Sequence, residues 1–166
     1  MTDQDSQPED LEHSERHLRG LWFEDLQPGF SIHSPRRTIT EADITLFAGL
    51  SGDFNPLHVD EPAARRTTFR GRIAHGLLIQ SVSSGLINQT GAFHGTLTAL
   101  IEMRIRYLTP VRAGDTIGVV LTVKAVDPEP GVKRGWVELD ALVTNQKGES
   151  VIEGGWKIIA KRRPGR

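Results

Sequence analysis

The stretch from Ala74 to about Thr90 contains no proline, and its apolar positions Leu77, Leu78, Val82, Leu86 and Ile87 are interleaved with small residues. Polar side chains are few there (Gln80, Asn88, Gln89), so a helix built from it is expected to be buried on most of its sides. Such a helix needs an enclosure, and the following chain supplies one. Ile101, Met103, Ile105 and Tyr107 alternate with Glu102, Arg104 and Arg106, the period of a strand with one inward face. Pro110 to Asp115 reads as a turn, after which Ile117, Val119, Leu121, Val123 and Ala125 form a second inward set. Asp127-Pro128-Glu129-Pro130-Gly131 breaks the chain, and Val137, Leu139, Ala141 and Val143 resume the alternation. Asn145-Gln146-Lys147-Gly148 is a hairpin-turn sequence, and Val151 to Lys161 completes the set. With a first strand between Phe30 and Thr38, behind the Pro28-Gly29 turn, the order is strand, helices, then antiparallel strands. That order is α+β, and an antiparallel sheet wrapped around a long central helix is one arrangement that satisfies it.

Upstream of that helix the chemistry-bearing residues gather. Thr40-Glu41-Ala42-Asp43 has the form of a capping box, and Ile44, Phe47, Ala48 and Ser51 fall on one helical face beside Leu46 and Leu50. Gly52 is placed to end this helix. The stretch Ser51-Gly52-Asp53-Phe54-Asn55-Pro56-Leu57-His58 is too rich in Gly, Asn and Pro for regular structure, and it can turn Asp53 and His58 towards one point. Asp60-Glu61-Pro62 starts a short helical turn through Arg66. Ala74-His75-Gly76 then opens the long helix, whose first N–H groups have no intrahelical partner. An acid, an imidazole and free amide donors suffice to move a proton beside a carbonyl. A plain turn stays open as a reading, since Gly-Asp and Asn-Pro are ordinary turn dipeptides.

Composition narrows the classes. A chain of 166 residues suits one domain, assigned to 20–161, with a polar tail at 1–19 expected to be disordered or loosely attached and a basic tail at 162–166. A net charge of −1 gives no whole-protein case for nucleic acid or membrane. The absence of cysteine removes disulfides, thiol nucleophiles and thiolate metal sites. No apolar run suits a signal peptide or a membrane span, so a cytoplasmic protein is expected.

Phe47-Ala48-Gly49-Leu50-Ser51-Gly52-Asp53-Phe54-Asn55-Pro56-Leu57-His58, followed by Arg72-Ile73-Ala74-His75-Gly76-Leu77, resembles the signature of the MaoC-like dehydratases, the (R)-specific enoyl-CoA hydratases of the hot-dog fold. The likeness extends in looser form over about residues 20–160. It implies a hydro-lyase acting on 2-enoyl-CoA and (R)-3-hydroxyacyl-CoA, with Asp53 and His58 polarising one water between them. It gives Gly76 as the N–H that binds the thioester oxygen, a role that also suits a glycine at the positive end of a helix. Asn55 and Ser84 join Gly76 as substrate-binding positions, although Asn55 also reads as fixing the loop and Ser84 as a packed helical serine. His75 is assigned no proton transfer, and no metal or cofactor is expected beyond the coenzyme A of the substrate. Arg65, Arg66, Arg70 and Arg72 form a positive cluster, either for coenzyme A phosphates or as a solvated basic face. Acyl-carrier-protein thioesters are alternative substrates, and the resemblance implies a homodimer or higher homo-oligomer. A hot-dog thioesterase and a non-catalytic acyl-CoA-binding subunit are the rival readings.

Overall fold

The computed structural model describes residues 20–128 and 133–164. The readings made for the tail at 1–19 and for Gly165-Arg166 lie outside the described residues. Strands β1 (Ser31–His33) and β2 (Arg37–Thr38) are followed by helices α1 (Glu41–Ser51), α2 (Pro56–Val59), α3 (Glu61–Arg65) and α4 (Gly76–Gln89). Strands β3 (Leu97–Tyr107), β4 (Thr116–Asp127), β5 (Arg134–Thr144) and β6 (Ser150–Lys161) complete the fold. The sheet has six strands in the order β1-β4-β5-β6-β3, with β2 also on β4, and all its pairings are antiparallel. Its concave side and α4 share one core, in which Leu78, Ile79, Leu86 and Ile87 meet Ile117, Leu121, Leu139 and Ile152. This is the hot-dog arrangement, a sheet curled around a helix.

The alternation read from the sequence sets the inner face of β4 and β5, but in β3 a register shift between Leu100 and Glu102 accompanies exposure of Ile101, and Tyr107 is exposed as well. Val137, Leu139, Ala141 and Val143 of β5 are all buried, as are Ile117, Val119, Leu121 and Val123 of β4. Ala125 departs from its expected place. A bulge at Lys124 pairs Ala125 with Glu138, so Ala125 is exposed and Val126 turns to the core instead. The single strand expected over Phe30 to Thr38 is two short ones along the same edge of β4, because the chain leaves the ladder around Pro35. The Asn145 turn forms as read: its Oδ1 accepts from Lys147 N and Glu149 N, and Gly148 adopts φ 78°.

Helix α4 differs most from expectation. Leu78, Ile79, Gln80, Val82, Ser83, Leu86 and Ile87 are buried, but Leu77, Ser81, Gly85 and Asn88 are exposed along the other side. The helix is half-covered in a single chain, and a low density of polar residues did not distinguish one covered face from several. Leu46 and Leu50 of α1 are likewise exposed, at 73% and 85%, while Ile44 and Ala48 carry that helix's packing.

The sheet tolerates no side chain at one position. A Cβ on Gly154 of β6 would lie 1.9 Å from the Arg104 carbonyl oxygen of β3, a backbone atom that no rotamer change can move. Gly154→Ala is therefore expected to destabilise the fold by at least about 1–3 kcal/mol, the cost of overpacking, and urea denaturation reads this directly. An unchanged midpoint would mean that β3 and β6 part easily there.

Candidate active site

The site grows out of two helix boundaries. Thr40 caps α1: its Oγ1 accepts from Asp43 N, while the Asp43 carboxylate accepts from Thr40 N. Partial burial acts to raise the Asp43 carboxyl, but the Thr40 backbone and side-chain hydrogen bonds and Arg37 hold it below its usual range. Gly52 ends the helix in the left-handed region at φ 76°, where a side chain is disfavoured. The backbone leaves the helix at that point and delivers Asp53. Asn55 then caps α2, its Oδ1 accepting from Leu57 N, with Pro56 at the first helical position. His58 therefore stands on a short helical turn, where the sequence suggested irregular loop, and Asn55 has the loop-fixing role.

The two segments are tied to each other by their histidines. His58 Nδ1 donates to the Ile73 carbonyl at 2.8 Å, and His75 Nε2 donates to the Asp53 carbonyl at 2.9 Å. The imidazoles stack at 3.8 Å between centroids with 27° between their planes, and the Phe47 ring lies tilted against His75 at 5.1 Å. Carbonyls only accept, so these bonds put the protons on His58 Nδ1 and His75 Nε2 in the neutral rings and leave a lone pair on His58 Nε2. His75 Nδ1 is buried and has no hydrogen-bond partner among the described residues.

Asp53 itself is exposed, and one of its carboxylate oxygens accepts from Asn55 N. Donor atoms of Asp53, His58 and His75 all lie within 4.8 Å of one another. Two hydrogen bonds of about 2.8 Å reach that far, so one water can touch the carboxylate and an imidazole together. A cation fits less well. Imidazole lone pairs lie in their ring planes, and the stacked planes run nearly parallel, whereas a metal at about 2.1 Å must lie in both.

Beside this cluster is a cleft of about 310 Å³ in which His58 and Gly76 are joined by Phe69, Ile79, Tyr107 and Val111. Its walls are mostly apolar. Gly76 is the first residue of α4, where amide groups lack intrahelical partners, and a Cβ there would stand 2.6 Å from the Tyr107 ring. Partial burial pushes the Tyr107 hydroxyl above its ordinary range. Asp53, His58 and Gly76 are thus brought together, with Asn55 behind them. Ser84 is not: it lies two turns further along α4, about 12 Å from Gly76, away from the residues that line the cleft. Sequence reading did not single out Phe69, nor Tyr107 as a wall of the cleft, although Tyr107's place in the inward set of β3 was the signal available.

The arginine cluster is partly neutralised. Arg65 pairs with Glu61, and Arg72 bridges Glu61 and Glu41, so these two serve the local fold. The Arg65 side chain, then the Arg72 amide, hold the Glu61 carboxyl below its ordinary range. Arg66 and Arg70 remain exposed.

Residues 26–145 match the family described as MaoC like domain. The (R)-specific enoyl-CoA hydratase of Rhodospirillum rubrum is 41% identical over 142 residues, 86% of this chain and 93% of that protein. Protein MaoC of Klebsiella aerogenes is 44% identical over 103 residues, which are 62% of this chain but span only 30% of that protein's length. A solved structure from Archaeoglobus, described as a monoamine oxidase regulatory protein, aligns with a TM-score of 0.82 at 33% identity, over 88% of this chain and 97% of that one.

Proposed function

Because the chain belongs to the MaoC-like domain family, we propose that it adds water reversibly across the double bond of a 2-enoyl-CoA to give an (R)-3-hydroxyacyl-CoA. It is an enzyme of the hydratase and dehydratase type. The observation that carries the reading is that a carboxylate oxygen of Asp53 and a ring nitrogen of His58 lie within 4.8 Å of each other, near the start of α4.

The chemistry follows from the acceptors. A water lying between the Asp53 carboxylate and His58 Nε2 donates a hydrogen to each and turns a lone pair on its oxygen towards C3. As the C3–O bond forms, a proton passes to the pair, and the double-bond electrons move onto the thioester oxygen as an enolate. That oxygen meets the Gly76 N–H at the positive end of α4. The pair then returns a proton to C2, on the face from which the water came. The two groups act as one unit, so the proton steps belong to the pair.

A thioesterase would instead direct its water at C1 and release free coenzyme A. The assay that separates the readings follows a short 2-enoyl-CoA for loss of its conjugated absorbance and, in parallel, for free thiol. Loss of absorbance without thiol supports the hydratase; thiol release supports the thioesterase; binding without either supports a non-catalytic acyl-CoA-binding subunit. The substrate is an acyl-CoA, and the same assay on acyl-carrier-protein thioesters tests the carrier.

A homodimer is part of the proposal. Among the described residues, strand β3 is an open edge of 11 residues on which Leu97, Leu100, Ile101 and Tyr107 are exposed, and α4 is uncovered on one side. Open edges of this kind are usually paired or covered, and a second copy would do both. Light scattering at micromolar concentration is expected to give at least the dimer mass, and a stable monomer would contradict it. No helix among the described residues is long and apolar enough to cross a membrane, and the proposed location is cytoplasmic.

A further inference from the structure

We infer that His75 is a positioning residue for the hydration chemistry, holding Asp53 and His58 in one geometry through a hydrogen bond to one and a ring stack on the other. The inference rests on the hydratase reading above and assigns a role to a residue that reading leaves idle.

His75 is 2% exposed, the more deeply buried of the two stacked histidines. The hydrogen bond and ring stack of its side chain converge on the site. Nε2 holds the carbonyl of Asp53, the residue that follows the left-handed Gly52 and sits in an exposed turn. One ring face lies on the His58 imidazole, and the Phe47 ring of α1 makes a tilted contact with His75. The backbone of His75 is also the N-cap of α4, immediately before Gly76.

The arrangement is reciprocal. His58 leaves its own segment to hold Ile73, and His75 leaves its segment to hold Asp53. The stack limits rotation of the His58 ring, while the Nδ1 bond to Ile73 sets which nitrogen faces the water. The hydrogen bond to the Asp53 carbonyl adds to the Ser51 hydroxyl, which accepts from Asp53 N, and to the Asn55 amide, which holds the Asp53 carboxylate. Losing either link lets one acceptor drift from the water the pair must share. A displacement on the order of 1 Å costs about 10²-fold in rate.

The test separates the two links in the purified full chain. His75→Gln keeps an N–H donor for the Asp53 carbonyl and removes the ring; His75→Phe keeps a ring against His58 and removes the donor; His75→Ala removes both. Wild-type hydration is measured first, because its absence overturns the hydratase reading and not this one alone. With an active wild type, kcat is expected to fall about 10²-fold in His75→Ala, and about 10-fold in His75→Gln and His75→Phe. KM is expected to stay within about twofold of wild type, since substrate contacts are untouched. If His75→Ala does not fold, the Gln and Phe variants carry the test. Wild-type kcat in the folded variants, or a kcat loss that only tracks the folded fraction at the assay temperature, would overturn the proposal.

Discussion

Asp53→Asn and His58→Ala are each expected to slow hydration of a short 2-enoyl-CoA by about 10²–10⁴-fold, the scale of a general acid-base contribution. Asparagine keeps the shape of Asp53 and its acceptor for the Asn55 amide, but it cannot take a proton. Alanine at 58 removes the Nε2 lone pair. The double variant is expected to be little worse than the poorer single one, because one water is shared and either loss abandons it. Two controls make the result interpretable. His58→Ala strips the Ile73 carbonyl of its donor in a buried place, so stability falls as well, by about 1–3 kcal/mol. His58→Gln restores a donor of similar reach, and assays well below each melting temperature separate chemistry from folding. Folded variants that hydrate at the wild-type rate would remove the pair from the mechanism.

Gly76→Val is expected to lower kcat by about 10²-fold or more, the scale of losing one oxyanion donor, while leaving Asp53 and His58 in place. The structural reason is specific. Even a Cβ at Gly76 meets the Tyr107 ring at 2.6 Å, and a branched side chain fills the approach to the first amides of α4. Tyr107 is half-exposed and can swing aside, so displacement of this ring is a competing explanation. Tyr107→Ala resolves it. If the tyrosine variant is active and the Gly76→Val, Tyr107→Ala pair is as slow as Gly76→Val alone, the loss belongs to the helix terminus. Recovery in the pair would assign the loss to the ring instead, and near-normal turnover in Gly76→Val would move the oxyanion site elsewhere.

Much of this was legible in the residues because it was local. Thr40 and Gly52 bound α1 as read, since capping and left-handed termination depend on a few neighbouring positions. The inward sets of β4 and β5 followed from period two. What failed depended on a partner distant in sequence. The bulge at Lys124 exists only against β5, so strict alternation placed Ala125 on the wrong face. Leu46, Leu50 and Leu77 look like core residues by type, and nothing local says that a single chain leaves them uncovered. The site shows the same division. Asp53 and His58 are close in sequence and were named from their loop, and Gly76 from its helix start. The role of His75 needed the stack and the carbonyl 22 residues away, which no spacing rule contains. Ser84 was placed by helix and residue type alone, and the helix carries it past the cleft.

The central claim is that one water, held by Asp53 and His58, serves both ends of the double bond from one side. Hydration of a short 2-enoyl-CoA in D2O by the wild-type protein tests it directly, with the product analysed at C2 and C3. The account predicts an (R) hydroxyl at C3 and deuterium at C2 added to the same face. Deuterium on the face opposite the new hydroxyl would contradict a shared water, and an (S) product would contradict the (R) assignment.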